Sequence, residues 1–148
     1  MIERLARPRK ARGQFRFATE AKSRIAAPRD FVLAKSHRGL HLLAKDERGL
    51  QMPVDALRAA YGSAVVIEPH SIGQPVMEVR VGLERSKLER IRPALRGCGV
   101  NPSEEYDGRH YCVLRFEAPF AALLGLPAEL ADLTSGRFSH QILLTGYR

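Results

Sequence analysis

The sequence predicts an α+β fold, and three observations carry that expectation. Short apolar-rich runs with period-two alternation are interleaved with longer stretches of helical period. Hydrophobic residues make up 45% of the 148 residues, enough for a core. Over the second half these segments follow one another in the order β-α-(β)-β-α-β.

Taken in order, residues 1–13 read as a basic flexible arm: Pro8 and Gly13 break a helix, and Arg4, Arg7, Arg9, Lys10 and Arg12 crowd the stretch. "QFRF" at 14–17 alternates and suits the start of a strand. "DFVLAKS" and "GLHLLAK" flank Ser36-His37-Arg38-Gly39, which predicts an antiparallel hairpin. Asp46–Gly49 reads as a turn. In "MPVDALRAAYG" Pro53 fits a first-turn position, Val54, Leu57 and Tyr61 share one helix face, and Gly62 ends the helix. "SAVVIE" reads as a buried strand. "PHSIGQP", with two prolines and a glycine, marks the best boundary in the chain.

Beyond it, Met77, Val79 and Val81 alternate with Val76, Glu78 and Arg80, as in a strand with one buried face. Leu88, Ile91 and Leu95 line one face of a helix that Pro93 keeps short or kinked. "VNPSEEYDG" is turn-rich with a short edge strand. "RHYCVLRFEAP" is a strand, "FAALLGLPAELADL" is helical and interrupted at Pro127, and "FSHQILLTGY" is the last strand. The expected organisation is an arm at 1–13, a small, partial α+β unit at 14–72, and a βαββαβ ferredoxin-like unit at 73–148.

Several segments resemble the C-terminal part of elongation factor G-like translation factors. Gln74-Pro75-Val76-Met77-Glu78-Val79, Pro119, Leu133-Thr134-Ser135-Gly136-Arg137 and the closing Gly146-Tyr147 match domain V in order and spacing, the end looking most like the tetracycline-resistance ribosomal protection branch. Val54-Asp55-Ala56-Leu57-Arg58 and Pro69 are similar to the end of domain III. The resemblance implies a remnant of domain III joined directly to domain V, as in BipA-type factors, and binding near the ribosomal factor site. The turn departs from the family in carrying Phe138 where a second glycine often stands.

Charge points the same way. The net charge is +8, and residues 1–30, with nine Lys or Arg against three acidic residues, hold +6 of it. Such a balance favours an acidic partner, with ribosome or RNA first. No run of membrane-spanning length is present in the sequence, and no apolar run follows the first charges as in a secretory signal, so a cytoplasmic location is expected.

Catalytic and metal motifs find little support in the sequence. The phosphate-cradling G-x-x-x-x-G-K-[ST] is absent, and the sole asparagine, Asn101, precedes Pro102 and cannot begin a guanine-reading motif, so no GTPase domain is expected. His37 and His41 sit on a predicted hairpin, where helical i, i+4 ligation does not apply. Cys98, His110 and Cys112 lack an evident fourth ligand, and the two cysteines read as buried thiols. Ser139 and His140, adjacent on a strand, face opposite sides. Glu104-Glu105 reads as a solvated turn. The expectation is therefore a protein without catalysis, cofactor or metal. Its RNA contacts would be Arg7, Arg9, Lys10, Arg12 and Arg16, with Thr134, Ser135, Gly136 and Arg137 at the last turn. A protein partner or self-association is the alternative.

Overall fold

The computed structural model describes residues 1–10, 12–25, 29–70 and 72–148. It is an α+β structure built on one mixed eight-stranded sheet. In the first half the order is β1 (Ile2–Pro8), α1 (Gln14–Ser23), β2 (Phe31–Ser36), β3 (Gly39–Ala44), α2 (Glu47–Tyr61) and β4 (Val65–Pro69). The second half runs β5 (Pro75–Glu84), α3 (Leu88–Gly97), β6 (Ser103–Asp107), β7 (Tyr111–Ala118), α4 (Phe120–Leu123), α5 (Leu126–Thr134) and β8 (Phe138–Tyr147). The sheet order is β4-β1-β3-β2-β8-β5-β7-β6.

The largest correction concerns the N-terminus. Residues 2–8, expected in a flexible arm, form an interior strand paired antiparallel with β3 on one side and β4 on the other. Its arginines are compatible with that position because they find carboxylates far along the chain: Arg4 pairs with Glu47 and Arg7 with Glu68. Leu5 and Ala6 are buried on opposite faces of the strand. Ala11 lies outside the described residues, as does Ser71 in the expected boundary segment.

"QFRF" is the second correction. It opens α1 and not a strand, because the positions that bury are Ala18 and Ala21, at helical spacing, with Phe17 packed against the Tyr61 ring at 5.1 Å. With β1 and α1 in place, the first half has the same element order as the second.

The β2–β3 hairpin forms as expected, with Ser36 opposite Gly39. Asp46 is not a turn residue but the N-cap of α2, its Oδ1 accepting from the Gly49 N–H at 3.0 Å. Pro53 is consequently inside α2, beyond its first turn. Gly62 caps α2 with φ 54. In α5, Pro127 starts the helix and does not interrupt it; the break falls at Gly125, φ 81. β6 is an edge strand with every residue exposed.

Two apolar clusters fill the protein. Leu33, Leu40, Leu42 and Ala44 of β2 and β3 pack against Ala18, Ala21, Leu50 and Leu57 of α1 and α2. Met77, Val79, Val81, Leu114 and Phe116 pack against Leu88, Ile91 and Leu95 of α3 and Leu126 and Leu130 of α5. Val32, Ala34 and Leu43, which by alternation face away from α1, belong to this second cluster. The helices of the two halves therefore cover opposite faces of the sheet. The seam between the halves is the parallel pairing of β2 with β8 at Lys35 and Leu143.

Candidate functional site

Two regions carry chemistry. The first is the loop that joins β1 to α1. Arg9, Lys10 and Arg12 are exposed there, and Arg16 is exposed in the first turn of α1. None of the four pairs with a carboxylate among the described residues, whereas Arg24, Arg29, Arg80, Arg85, Arg92, Arg115 and Arg148 all do. The Arg9 Nε donates to the Ser63 carbonyl at 2.7 Å, which ties the loop to the start of β4. Arg7, expected among the RNA contacts, is instead half-buried within the sheet and donates to Glu68 from Nε at 3.1 Å.

At the turn 134–137, expected among the RNA contacts, the backbone N–H groups are already engaged. Thr134 is buried and donates its hydroxyl to the Leu130 carbonyl at 2.7 Å. Ser135 and Gly136 take left-handed conformations, φ 54 and 76. The N–H groups of both donate to the Ala131 carbonyl, and the Arg137 N–H donates to the Thr134 carbonyl at 3.0 Å. This is a helix C-terminus, where the donors are consumed and the dipole presents its negative end. Only the Arg137 guanidinium, 72% exposed and 3.9 Å from Glu84, is left to meet an anion.

The second region is a buried polar cluster on the reverse face of the first half. Strand register brings Leu5 opposite His41 and Glu3 opposite Leu43, so Glu3 and His41 are diagonal neighbours on one face. Each side chain is 1% exposed, and His41 Nδ1 lies 2.7 Å from Glu3 Oε2. The other ring nitrogen, His41 Nε2, lies 2.6 Å from Ser36 Oγ, which accepts the Arg38 N–H at 3.1 Å. Tyr147, at the end of β8, donates its hydroxyl to the same Glu3 Oε2 at 2.7 Å. His70 follows β4; its N–H donates to the Glu3 carbonyl at 3.2 Å, and its Nε2 stands 3.9 Å from Glu3 Oε2. The His41 and His70 rings meet edge to face at 5.5 Å.

Burial first, and the Glu3 carboxylate second, hold the Tyr147 hydroxyl well above the usual tyrosine range. The cluster can pass a proton along the Ser36–His41–Glu3 series or gather nitrogen and oxygen donors about a cation. The sequence alone does not reveal it, because Glu3 lies in a segment whose charge and Pro8 point to an arm. A Glu-x-Leu alternation in a strand, facing a histidine, is the signal that could have found it.

The other groups weighed from sequence stay apart. His37 is exposed in the hairpin turn while His41 is buried on β3. Cys98 and Cys112 are both free thiols, raised by burial. The Ser139 and Tyr111 hydroxyls lie 3.2 Å apart on one face. His140 stacks on Phe138 at 5.4 Å and is pushed down to about 4, by burial first and then by Lys22. Glu104 and Glu105 sit in β6, paired with Arg92 and Arg80.

No protein-family model matches the chain, and no curated protein matches it. No helix among the described residues is long and apolar enough to cross a membrane.

Proposed function

We propose that the protein is a non-catalytic module that binds RNA, foremost on a ribosomal surface, through the cationic loop at Arg9, Lys10, Arg12 and Arg16. The observation that carries this reading is the exposure of those four cations within eight residues, none engaged by a carboxylate among the described residues. A cation already neutralised in an ion pair releases no counterion on meeting a phosphate; an unpaired one does. Arg137, exposed but 3.9 Å from Glu84, is by the same criterion a weaker contact.

The architecture supports the same reading. Each half has βαββαβ order with antiparallel strands arranged fourth-first-third-second, and we read both as ferredoxin-like units. Two such units in tandem fit the resemblance to domains III and V of elongation factor G-like factors better than a remnant followed by one domain.

Co-sedimentation with ribosomes over a salt series tests the proposal. Replacing Arg9, Lys10, Arg12 and Arg16 by Ala is expected to weaken binding and to flatten the dependence of log K on log salt by roughly 3, at about 0.7–0.9 per lost phosphate contact. Binding and slope that do not change would overturn it. The second reading, a protein-interaction module, draws on β6, an exposed edge with Tyr106 57% exposed. Light scattering and a pull-down in the absence of ribosomes examine it.

A further inference from the structure

Two polar atoms of the buried cluster, Glu3 Oε1 and His70 Nε2, have no hydrogen-bond partner among the described residues. Buried polar groups are almost always satisfied, and an unsatisfied one commonly marks an ion or water. Here two of them, one an anion's oxygen and one a ring nitrogen, fall in the same cluster.

We propose that Glu3, His41 and His70 form a binding site for a divalent transition-metal ion, with Zn²⁺ the best fit. One donor atom from each residue lies within 4.8 Å of the others. Donors about 2.0–2.2 Å from a tetrahedral ion stand ~3.3 Å apart. The separations of 2.7 Å from Glu3 Oε2 to His41 Nδ1 and 3.9 Å to His70 Nε2 straddle that value. Small side-chain rotations therefore bring the three onto one ion. Two imidazoles and one carboxylate suit Zn²⁺ and its neighbours, and do not suit Mg²⁺ or Ca²⁺, which prefer all-oxygen shells.

The surroundings match the metal-bound state. With Nδ1 on the ion, the His41 proton sits on Nε2 and is donated to Ser36 Oγ, 2.6 Å away. That oxygen has two lone pairs and accepts the Arg38 N–H with the other. Tyr147 holds the Glu3 carboxylate by its hydroxyl, fixing Oε2 beside the two imidazoles. Such outer partners fix the ring and carboxylate orientation in metal sites. The ligands come from β1, β3 and the residue following β4, three neighbouring strands, so the sheet itself sets their spacing. His70, 14% exposed, lies on the solvent side of the other two.

The test is calorimetric titration of the chelator-stripped full chain with ZnCl₂, with CoCl₂ as a spectroscopic probe and MgCl₂ for contrast. The expected result is one Zn²⁺ per chain, a rise in melting temperature, visible Co²⁺ bands of a nitrogen- and oxygen-ligated ion, and no Mg²⁺ uptake. His70→Ala, whose fold is checked by circular dichroism, is expected to weaken Zn²⁺ at least ~100-fold, and Ser36→Ala by ~10-fold. Three results would each overturn the proposal: no saturable one-to-one uptake, unchanged affinity in His70→Ala, or thiolate charge-transfer bands that place Co²⁺ on the cysteines.

Discussion

The Tyr147 hydroxyl donates to the buried Glu3 carboxylate at 2.7 Å, tying the last strand to the first across 144 residues. The bond joins the two halves of the sheet at a point where they share little backbone pairing. Tyr147→Phe keeps the ring and removes the donor, leaving a buried charge less satisfied. The expected loss is about 1.5–3 kcal/mol, read by urea unfolding. The bond also has a pH signature. Because the hydroxyl titrates above its ordinary value in the folded chain, the unfolded chain releases its proton first. Its contribution is complete below pH ~10 and fades as pH rises beyond that. Wild-type stability is expected to fall on the alkaline side more steeply than that of Tyr147→Phe.

Gly39 reports on whether β1 lies inside the sheet. Its φ is 144, and a Cβ there would collide with the Ala6 carbonyl oxygen of β1. Gly39→Ala therefore combines a strained conformation with a backbone clash, and is expected to destabilise by roughly 3 kcal/mol or more. Deleting residues 1–8 makes the same point by another route. A flexible arm would leave the melting curve unchanged; loss of an interior strand is expected to abolish cooperative unfolding, monitored by circular dichroism.

The difference between the halves shows what the sequence could reveal. In β5 and α3 the pattern is local: Met77, Val79 and Val81 bury alternately and Leu88, Ile91 and Leu95 at helical spacing, so nearest neighbours sufficed. β1 hides because its satisfaction is not local. Arg4 and Arg7 are neutralised by Glu47 and Glu68, and Glu3 is buried by partners at positions 41 and 147. Seen without those partners, the segment is merely charged. α1 misled for a different reason: Phe15, which gave the alternating look, is 43% exposed, and the helix buries small alanines. The metal-site candidate follows β1, so it could not be read until the strand was in place. The cationic loop was legible because its charges need no partner to be recognised.

His140 gives an acid-side expectation. Burial first and Lys22 second lower it from 6.5 to about 4. The folded chain therefore resists a proton that the unfolded chain accepts. Its contribution is present above pH ~6.5 and is lost as pH falls toward 4. Partial solvent access reduces the effect to on the order of 2 kcal/mol. His140→Gln is expected to flatten the stability curve in that window, measured as the difference between wild-type and variant unfolding at each pH.

Lys22 is the complementary case. Its ammonium is buried, has no hydrogen-bond partner among the described residues, and is lowered from 10.5 to about 8 by burial and then by Lys35. At pH 7 both folded and unfolded chains carry the charge, so the folded state bears the full desolvation cost. Lys22→Met keeps the stem and removes the charge, and is expected to stabilise by about 1–2 kcal/mol. The advantage shrinks as pH rises from about 8 to 10.5, because the folded wild-type chain then sheds the proton. Lys22 also repels a proton from His140, so the same substitution is expected to raise the His140 titration midpoint. An NMR titration of His140 in both proteins, alongside urea unfolding at pH 7, decides the matter. A less stable Lys22→Met with an unmoved His140 midpoint would show that the ammonium is satisfied in solution.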